Sequence, residues 1–182
     1  MSRLPGNQAG VLALAIVLTA CRESEKPVAP LARHAATSMQ STKASGTTST
    51  LLGRATFSDP DDQTLNIKRK TDDWYVDIKS KPATDVAVQS VLFQPAGQSG
   101  WHSHPGPVFI QVVYGTLAFY ESDDPTCTAI IRTKGQGYLD LGEHAHIARN
   151  ETADTARTVV TYFAPPGADL KIDEPAPGNC PF

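Results

Sequence analysis

The segment GWHSHPGPVFIQVVYG, residues 100–115, is the most informative stretch of this sequence. It places His102 and His104 two positions apart, ahead of a Pro-Gly-Pro bend and an apolar run that ends before Gly115. In an extended strand, the side chains at positions i and i+2 point to the same face. Both imidazoles can therefore reach one metal ion, and the segment predicts a binding site built on a β-strand.

The sequence on either side of this segment has the pattern of short strands separated by turns. Runs typical of strands cover residues 74–78, 85–93, 109–113, 116–120, 128–132, 138–141, 146–149 and 157–163. Turn-forming stretches such as PAGQSG, ESDDPTC and NETADT separate them. No segment after residue 51 keeps a 3.6-residue apolar period, so we expect an all-β sandwich or barrel with little helix. A turn between two strands is predicted at Tyr114-Gly115.

A second segment, GQGYLDLGEHAHIARN at residues 135–150, supplies the third candidate ligand, His146. His144 lies two positions earlier and is a rival, because it shares the face of His146 if the strand is regular. Gln98 and Gln111 are possible auxiliary groups. Three histidines define a transition-metal site without naming the metal, since imidazole suits several divalent ions. Fe, Mn, Zn, Ni and Cu all remain open, and so does a metal-free barrel that merely retains the histidines.

These two segments resemble the two motifs of the cupin superfamily, G-x5-H-x-H-x3,4-E-x6-G and G-x5-P-x-G-x2-H-x3-N. The matching residues are His102, His104 and Gly115 in the first motif and Gly135, His146 and Asn150 in the second. The chain is most similar to a small group of exported single-domain cupins that carry GWHSHPGP, DDPTC and PAPGNCPF. The resemblance covers residues 52–182 and implies a double-stranded β-helix (jelly-roll) barrel in a single domain, with the three histidines as metal ligands.

The sequence departs from the cupin motifs at the carboxylate ligand. Val108 stands where the first motif has glutamate, and Leu141 and Glu143 replace the proline and glycine of the second. Three histidines without that glutamate still match a common arrangement for a catalytic metal, in which three protein ligands leave one position for water or substrate.

The N-terminal residues indicate export. An apolar run at residues 11–20 is too short to span a membrane and ends in the sequence LTAC, which resembles a bacterial lipobox with Cys21 as the lipidated residue. We expect a lipoprotein signal peptide over 1–21, a flexible Ser/Thr/Pro-rich tether over 22–50 and the barrel over 51–182. An ordinary signal peptide, or a buried helix with an incidental cysteine, is the alternative.

Export also affects the interpretation of the remaining cysteines. Cys127 and Cys180 would lie in an oxidising compartment, where a single intramolecular pairing is open to them. We expect a disulfide between them, and two unpaired thiols are the alternative.

Two classes of function follow from the motifs and the charge. The first is a metal-dependent enzyme on a small organic molecule, dioxygenase-like or, as a neighbouring option, an isomerase or lyase. The second is a non-catalytic module that binds or senses a small ligand or metal at the cell envelope.

Residues 72–182 contain 14 acidic and 7 basic side chains, which argues against nucleic acid as a partner. We expect a periplasm-facing protein that meets the membrane only through its lipid anchor, with a homodimer as one option for assembly.

Overall fold

The structure is a computed structural model and describes residues 42–61 and 64–182. The signal peptide predicted over 1–21, with Cys21, and most of the tether lie outside the described residues. No helix in the described part of the chain is long and apolar enough to cross a membrane. The regular elements are β1 (Ser45–Phe57), β2 (Leu65–Lys70), β3 (Tyr75–Ser80), β4 (Thr84–Gln98), β5 (His102–Ser103), β6 (Val108–Tyr114), β7 (Thr116–Glu121), β8 (Ile130–Thr133), β9 (Gly137–Asp140), β10 (His146–Arg149), β11 (Ala156–Ala164) and β12 (Ile172–Asp173).

Ten of these strands form two antiparallel faces of five strands each. One face has the order β1–β4–β11–β6–β9, and the other has the order β12–β5–β10–β7–β8. The faces meet where Gln98 at the end of β4 pairs with Arg149 of β10. This is the strand arrangement of a double-stranded β-helix, so the predicted all-β jelly-roll barrel is confirmed. The hairpin β2–β3 forms a separate two-stranded sheet.

Alternation along the strands places the core between the two faces. On β6, Val108 and Ile110 are buried whereas Phe109 and Gln111 are exposed. The main hydrophobic cluster between the faces consists of Ala87, Phe93, Val108, Ile110, Val112, Leu117, Phe119, Tyr138, Ala148, Ala156, Val160 and Tyr162. Full burial of one such large apolar side chain contributes about 1.5–3 kcal/mol relative to exposure, so this cluster stabilises the barrel.

Gly115 carries the chain from one face of the barrel to the other. Strand β6 pairs with β11 and β9, whereas β7 pairs with β10 and β8. The turn predicted at Tyr114-Gly115 therefore joins two strands that do not pair with each other. Gly115 has a φ of 75°, and a Cβ atom at this position would lie 2.5 Å from the carbonyl oxygen of Thr155. Both features require glycine here.

The barrel begins earlier than the boundary predicted at residue 51. Strand β1 starts at Ser45 and pairs with β4 along most of its length. Thr42 is also part of the fold, because its hydroxyl accepts a hydrogen bond from the Trp101 amide at 2.6 Å. The sequence suggested a tether because this stretch lacks bulky apolar side chains. Backbone pairing with β4 and the β-propensity of threonine hold it in the barrel instead.

A second cluster lies on the other side of the histidine strands, beneath the C-terminal tail. It consists of Trp101, Ala118, Tyr120 and Ile147. Trp101 faces away from the neighbouring histidines into this cluster, as alternation predicts. Cys127 and Cys180 pack against the cluster and form the expected disulfide, with their Cα atoms 5.2 Å apart.

Candidate metal centre

The structure brings together the three histidines singled out in the sequence. His102 begins β5, and His146 begins β10 directly opposite it in the antiparallel register. His102, His104 and His146 are 6%, 5% and 1% exposed. Their ring centroids are 4.4–5.2 Å apart, and one nitrogen of each ring lies within 4.8 Å of the others. Three imidazoles at this separation can bind one ion.

Two of the histidines are held in the protonation state that a metal ligand needs. His102 Nδ1 lies 2.8 Å from the carbonyl oxygen of Gly100, and His104 Nδ1 lies 2.7 Å from that of Leu170. Because a carbonyl only accepts, each Nδ1 carries the hydrogen and each Nε2 has the free lone pair. Burial, together with the nearby His146, holds the pKa of His102 well below its usual range and lowers that of His104 to about 4. Both imidazoles are therefore neutral at neutral pH.

A buried carboxylate that the sequence patterns did not indicate, Asp140, lies beside the histidines. Its Oδ2 lies 2.7 Å from His146 Nδ1 and 3.7 Å from His104 Nε2, and its Oδ1 accepts a hydrogen bond from the Gly142 amide at 2.7 Å. Burial acts to raise the pKa of Asp140, but the His146 and Gly142 interactions outweigh it and the pKa lies below its usual value. The available signal was alternation, since Asp140 shares the inward face of Tyr138 on the predicted strand 138–141.

The donor atoms of this cluster fit a bound cation. His104 Nε2, which has the free lone pair of that ring, is buried and has no hydrogen-bond partner. Buried polar atoms without partners are costly and rare in native structures. A divalent transition metal would satisfy His104 Nε2, and a set of imidazoles with one carboxylate nearby is compatible with Fe, Mn, Zn, Ni or Cu.

The other candidates from the sequence lie outside this cluster. His144 has a side chain that is 54% exposed and contacts Asp123 at 3.5 Å. It precedes the first residue of β10, so the expectation that it shares the face of His146 is wrong. Gln111 points outward from β6, and an auxiliary role for it is also wrong. Gln98 accepts a hydrogen bond from the Gly100 amide at 2.8 Å and so braces the turn before His102 instead of reaching the cluster.

A cavity of about 120 Å³ lies against the histidines. Apolar side chains of the main cluster form much of its wall, and Thr47 and Ser49 of β1 close one side. Tyr162 donates a hydrogen bond to Gln89 at 2.9 Å, and burial raises the pKa of Tyr162 to about 12. Lys171 also lines the cavity, and its positive charge contributes to the lowered pKa values of His102 and His104.

The sequence matches no protein-family model, and comparison with curated proteins likewise finds no match.

Comparison with solved structures gives double-stranded β-helix and cupin-like proteins. A conserved protein with a double-stranded β-helix domain from Klebsiella pneumoniae is 19% identical, with 49% of this chain and 75% of that chain covered and a TM-score of 0.42. A cupin-like protein from Thermotoga maritima is 22% identical over 50% and 65% of the two chains, with a TM-score of 0.43. The polyketide cyclase RemF from Streptomyces resistomycificus is 14% identical over 74% and 75%, with a TM-score of 0.47. Because these scores lie below 0.5, the fold assignment depends on the strand order described above.

Proposed function

We propose that this protein is a metal-dependent enzyme of the cupin type that acts on a small anionic organic molecule, with oxygenase-like chemistry. One observation carries the proposal: three buried histidines meet at the wall of a small cavity that a lysine also lines. His102, His104 and His146 would hold the ion. When bound, a divalent metal would supply Lewis-acid polarisation of a substrate oxygen and, if it is redox-active, a centre for reaction with O₂.

The size of the cavity and its charge support the substrate class. A cavity of about 120 Å³ suits a small organic molecule and not a polymer. Lys171, whose ammonium contacts Asp173 in this structure, would also attract a substrate carboxylate. Tyr162, whose hydroxyl hydrogen goes to Gln89, would offer its oxygen as an acceptor. The apolar walls would exclude bulk water, which strengthens such charge interactions.

A non-catalytic binding or sensing module is the second candidate. The described residues that line the cavity include no aspartate or glutamate, so a carboxylate general base is lacking there. In this case the same site would hold a metal or a small anion without turnover. With export to the envelope, which we also propose from the N-terminal sequence, such a module would face the periplasm.

Metal analysis of the untagged protein tests the proposal. We expect about one divalent transition metal per chain in the wild type. His102→Ala, His104→Ala and His146→Ala should each lose most of it, whereas His144→Ala, the matched control, should retain it. Wild-type metal content in all four variants, or no binding by the wild type at micromolar metal, would refute the metal site.

Oxygen uptake by the Fe(II)-loaded protein then separates the two candidates. Small 2-oxo acids, 2-hydroxy acids, diketones and thiols should be offered in turn. Substrate-dependent uptake that His104→Ala abolishes supports the enzyme. Tight binding of such molecules without uptake or product supports the binding module.

A further inference from the structure

We propose that Asp140 is a positioning residue of the metal centre, which keeps the proton of His146 on Nδ1 and supplies the negative charge that Val108 cannot. This inference rests on the proposed metal site. It concerns a residue that the sequence motifs do not mark.

The strand register places Asp140 where it can replace the missing glutamate. Asp140 of β9 is the direct antiparallel partner of Val108 of β6. Both residues are buried and face the inside of the barrel, at 7% and 1% exposure. The carboxylate that β6 lacks at Val108 is therefore present on β9, at the residue that pairs with Val108.

The contacts of Asp140 direct one oxygen to His146. The amide of Gly142 occupies Oδ1 at 2.7 Å, which leaves Oδ2 to face His146 Nδ1 at 2.7 Å. The two atoms are not aligned for a full hydrogen bond, and neither has a hydrogen-bond partner elsewhere. A carboxylate can only accept, so the hydrogen between these two atoms belongs to His146 Nδ1, and Nε2 has the free lone pair.

His146 thereby obtains the arrangement that backbone carbonyls give to the other two histidines. His102 and His104 direct Nδ1 to the oxygens of Gly100 and Leu170. Only His146 depends on a side chain, and a charged acceptor makes the imidazole a stronger ligand than a neutral one does. The tautomer of His146 is therefore open to change by a single substitution.

Asparagine at position 140 should be worse than alanine for metal binding. The oxygen of the introduced amide would stay with the Gly142 N–H, so its NH₂ group would face His146 Nδ1. Two donors cannot share that contact, and the imidazole would move its hydrogen to Nε2, where no metal can bind. Alanine removes the carboxylate without imposing that tautomer. A purely structural role predicts the opposite order, because alanine leaves a cavity and an unpaired Gly142 amide.

The experiment is a titration of the full chain with Zn²⁺ and Co²⁺ in competition with a chelator. Asp140→Asn should weaken affinity by about 10- to 100-fold, the usual range for loss of a group that orients a metal ligand, and Asp140→Ala should weaken it less. The visible spectrum of bound Co²⁺ should change in Asp140→Asn. Asp123→Asn is the matched control, because Asp123 pairs with the exposed His144 outside the site, and its affinity should stay within twofold of wild type.

Two further measurements keep the test decisive. Nitrogen-15 spectra of the metal-free protein should show His146 with its hydrogen on Nδ1 in the wild type and on Nε2 in Asp140→Asn. The double variant Val108→Glu/Asp140→Ala should recover metal affinity that Asp140→Ala loses, because the glutamate introduced at position 108 would return a carboxylate from the paired strand.

Wild-type affinity and spectra in Asp140→Asn, or a greater loss of metal affinity in Asp140→Ala than in Asp140→Asn, would overturn the role of Asp140. A wild type that binds no metal would instead refute the proposed function. The nitrogen-15 spectra of the metal-free protein would then still test whether Asp140 sets the tautomer of His146.

Discussion

Asn150 and Asp140 are both buried polar residues beside the histidine strands, yet their surroundings differ. Asn150 donates to the carbonyls of Gln94 and Asp154 at 3.0 and 2.7 Å, and its oxygen accepts from the Thr152 hydroxyl at 2.8 Å. Its hydrogen-bonding groups are satisfied, so it stabilises the turn after β10. Asp140 leaves one oxygen without an aligned partner. Asn150 therefore has a structural role, whereas Asp140 has an oxygen available for a functional site.

Lys171 should determine the preference for anions. Lys171→Met keeps most of the side-chain stem and removes the charge. Because the lysine is partly exposed, we expect binding of acetate or malonate to weaken by roughly three- to tenfold, while binding of neutral acetamide is unchanged. Calorimetric titration of the metal-loaded protein measures both. Lys134→Met, at an exposed position away from the cavity, is the control. Equal affinity for malonate in Lys171→Met and wild type would exclude Lys171 as a specificity residue.

Among the elements, β1 is tied to the barrel by a charged side chain as well as by backbone pairing. Asp85 of β4 accepts hydrogen bonds from Arg54 Nε at 2.6 Å, the Thr56 hydroxyl at 2.5 Å and the Gly167 amide at 2.9 Å. The Thr56 hydroxyl, the Gly167 amide and Arg54 together lower the pKa of Asp85 from 3.8 to about 2. One carboxylate thus connects β1, β4 and the turn after β11.

The Asp85 contacts should appear in the acid stability of the protein. Its pKa is lower in the folded state than in the unfolded state, so its stabilisation is complete above about pH 4 and is lost as the pH falls through about 2. Asp85→Asn should therefore lower Tm at pH 7, and the difference from wild type should shrink towards pH 2. Thermal unfolding monitored by circular dichroism from pH 2 to 7 tests this. Asp73→Asn, in an exposed turn, should follow the wild-type profile; a pH-independent deficit in Asp85→Asn would contradict the prediction.

The C-terminal tail is held by more than its disulfide. Asn179 donates to the carbonyls of Glu121 and Asp124 at 2.9 and 2.6 Å. The ring of Phe182 contacts Tyr120, with centroids 5.1 Å apart, and the Arg149 guanidinium lies 3.8 Å from its centre. These contacts hold the proline-rich tail against the barrel independently of the disulfide.

Removal of the disulfide should reduce stability without dismantling the site. The bridge closes a loop with a sequence separation of 53 residues, for which chain entropy gives at most about 4 kcal/mol. Cys127→Ser/Cys180→Ser should lower the free energy of unfolding by up to that amount and leave metal content unchanged, because the tail keeps its other contacts. Urea denaturation and metal analysis measure the two effects. Two free sulfhydryls in denatured, unreduced wild type would contradict the bridge.

At the scale of the whole molecule, we propose that the barrel is tethered to a bacterial membrane through Cys21. Mass spectrometry of the mature protein should find an N-terminal, acylated Cys21, and Cys21→Ala should move the protein from the membrane to the soluble fraction. Acyl chains alone would mediate this attachment. A mature N-terminus at another residue, or Cys21→Ala that still sediments with membranes, would refute the anchor.

Local patterns in the sequence determined the strand-rich fold and the candidate ligands. Alternation and turn residues act over two to six positions, so the strands 109–113 and 157–163 are predictable from their own residues and the turns beside them. His102 and His104 share a face because of their spacing alone, and the resemblance of the second segment to a cupin motif identified His146. These properties depend on residues that are close together along the chain, so the sequence alone is enough to predict them.

Only the tertiary structure decided which distant groups surround the histidines. Asp140 reaches His146 because β9 pairs with β6, and Lys171 lines the cavity because β12 pairs with β5. Thr47 closes the cavity through pairing of β1 with β4, although its segment resembles a tether. His144 falls outside because β10 begins at His146. Strand register between segments far apart in sequence depends on the packing of the whole barrel, and no local pattern specifies it.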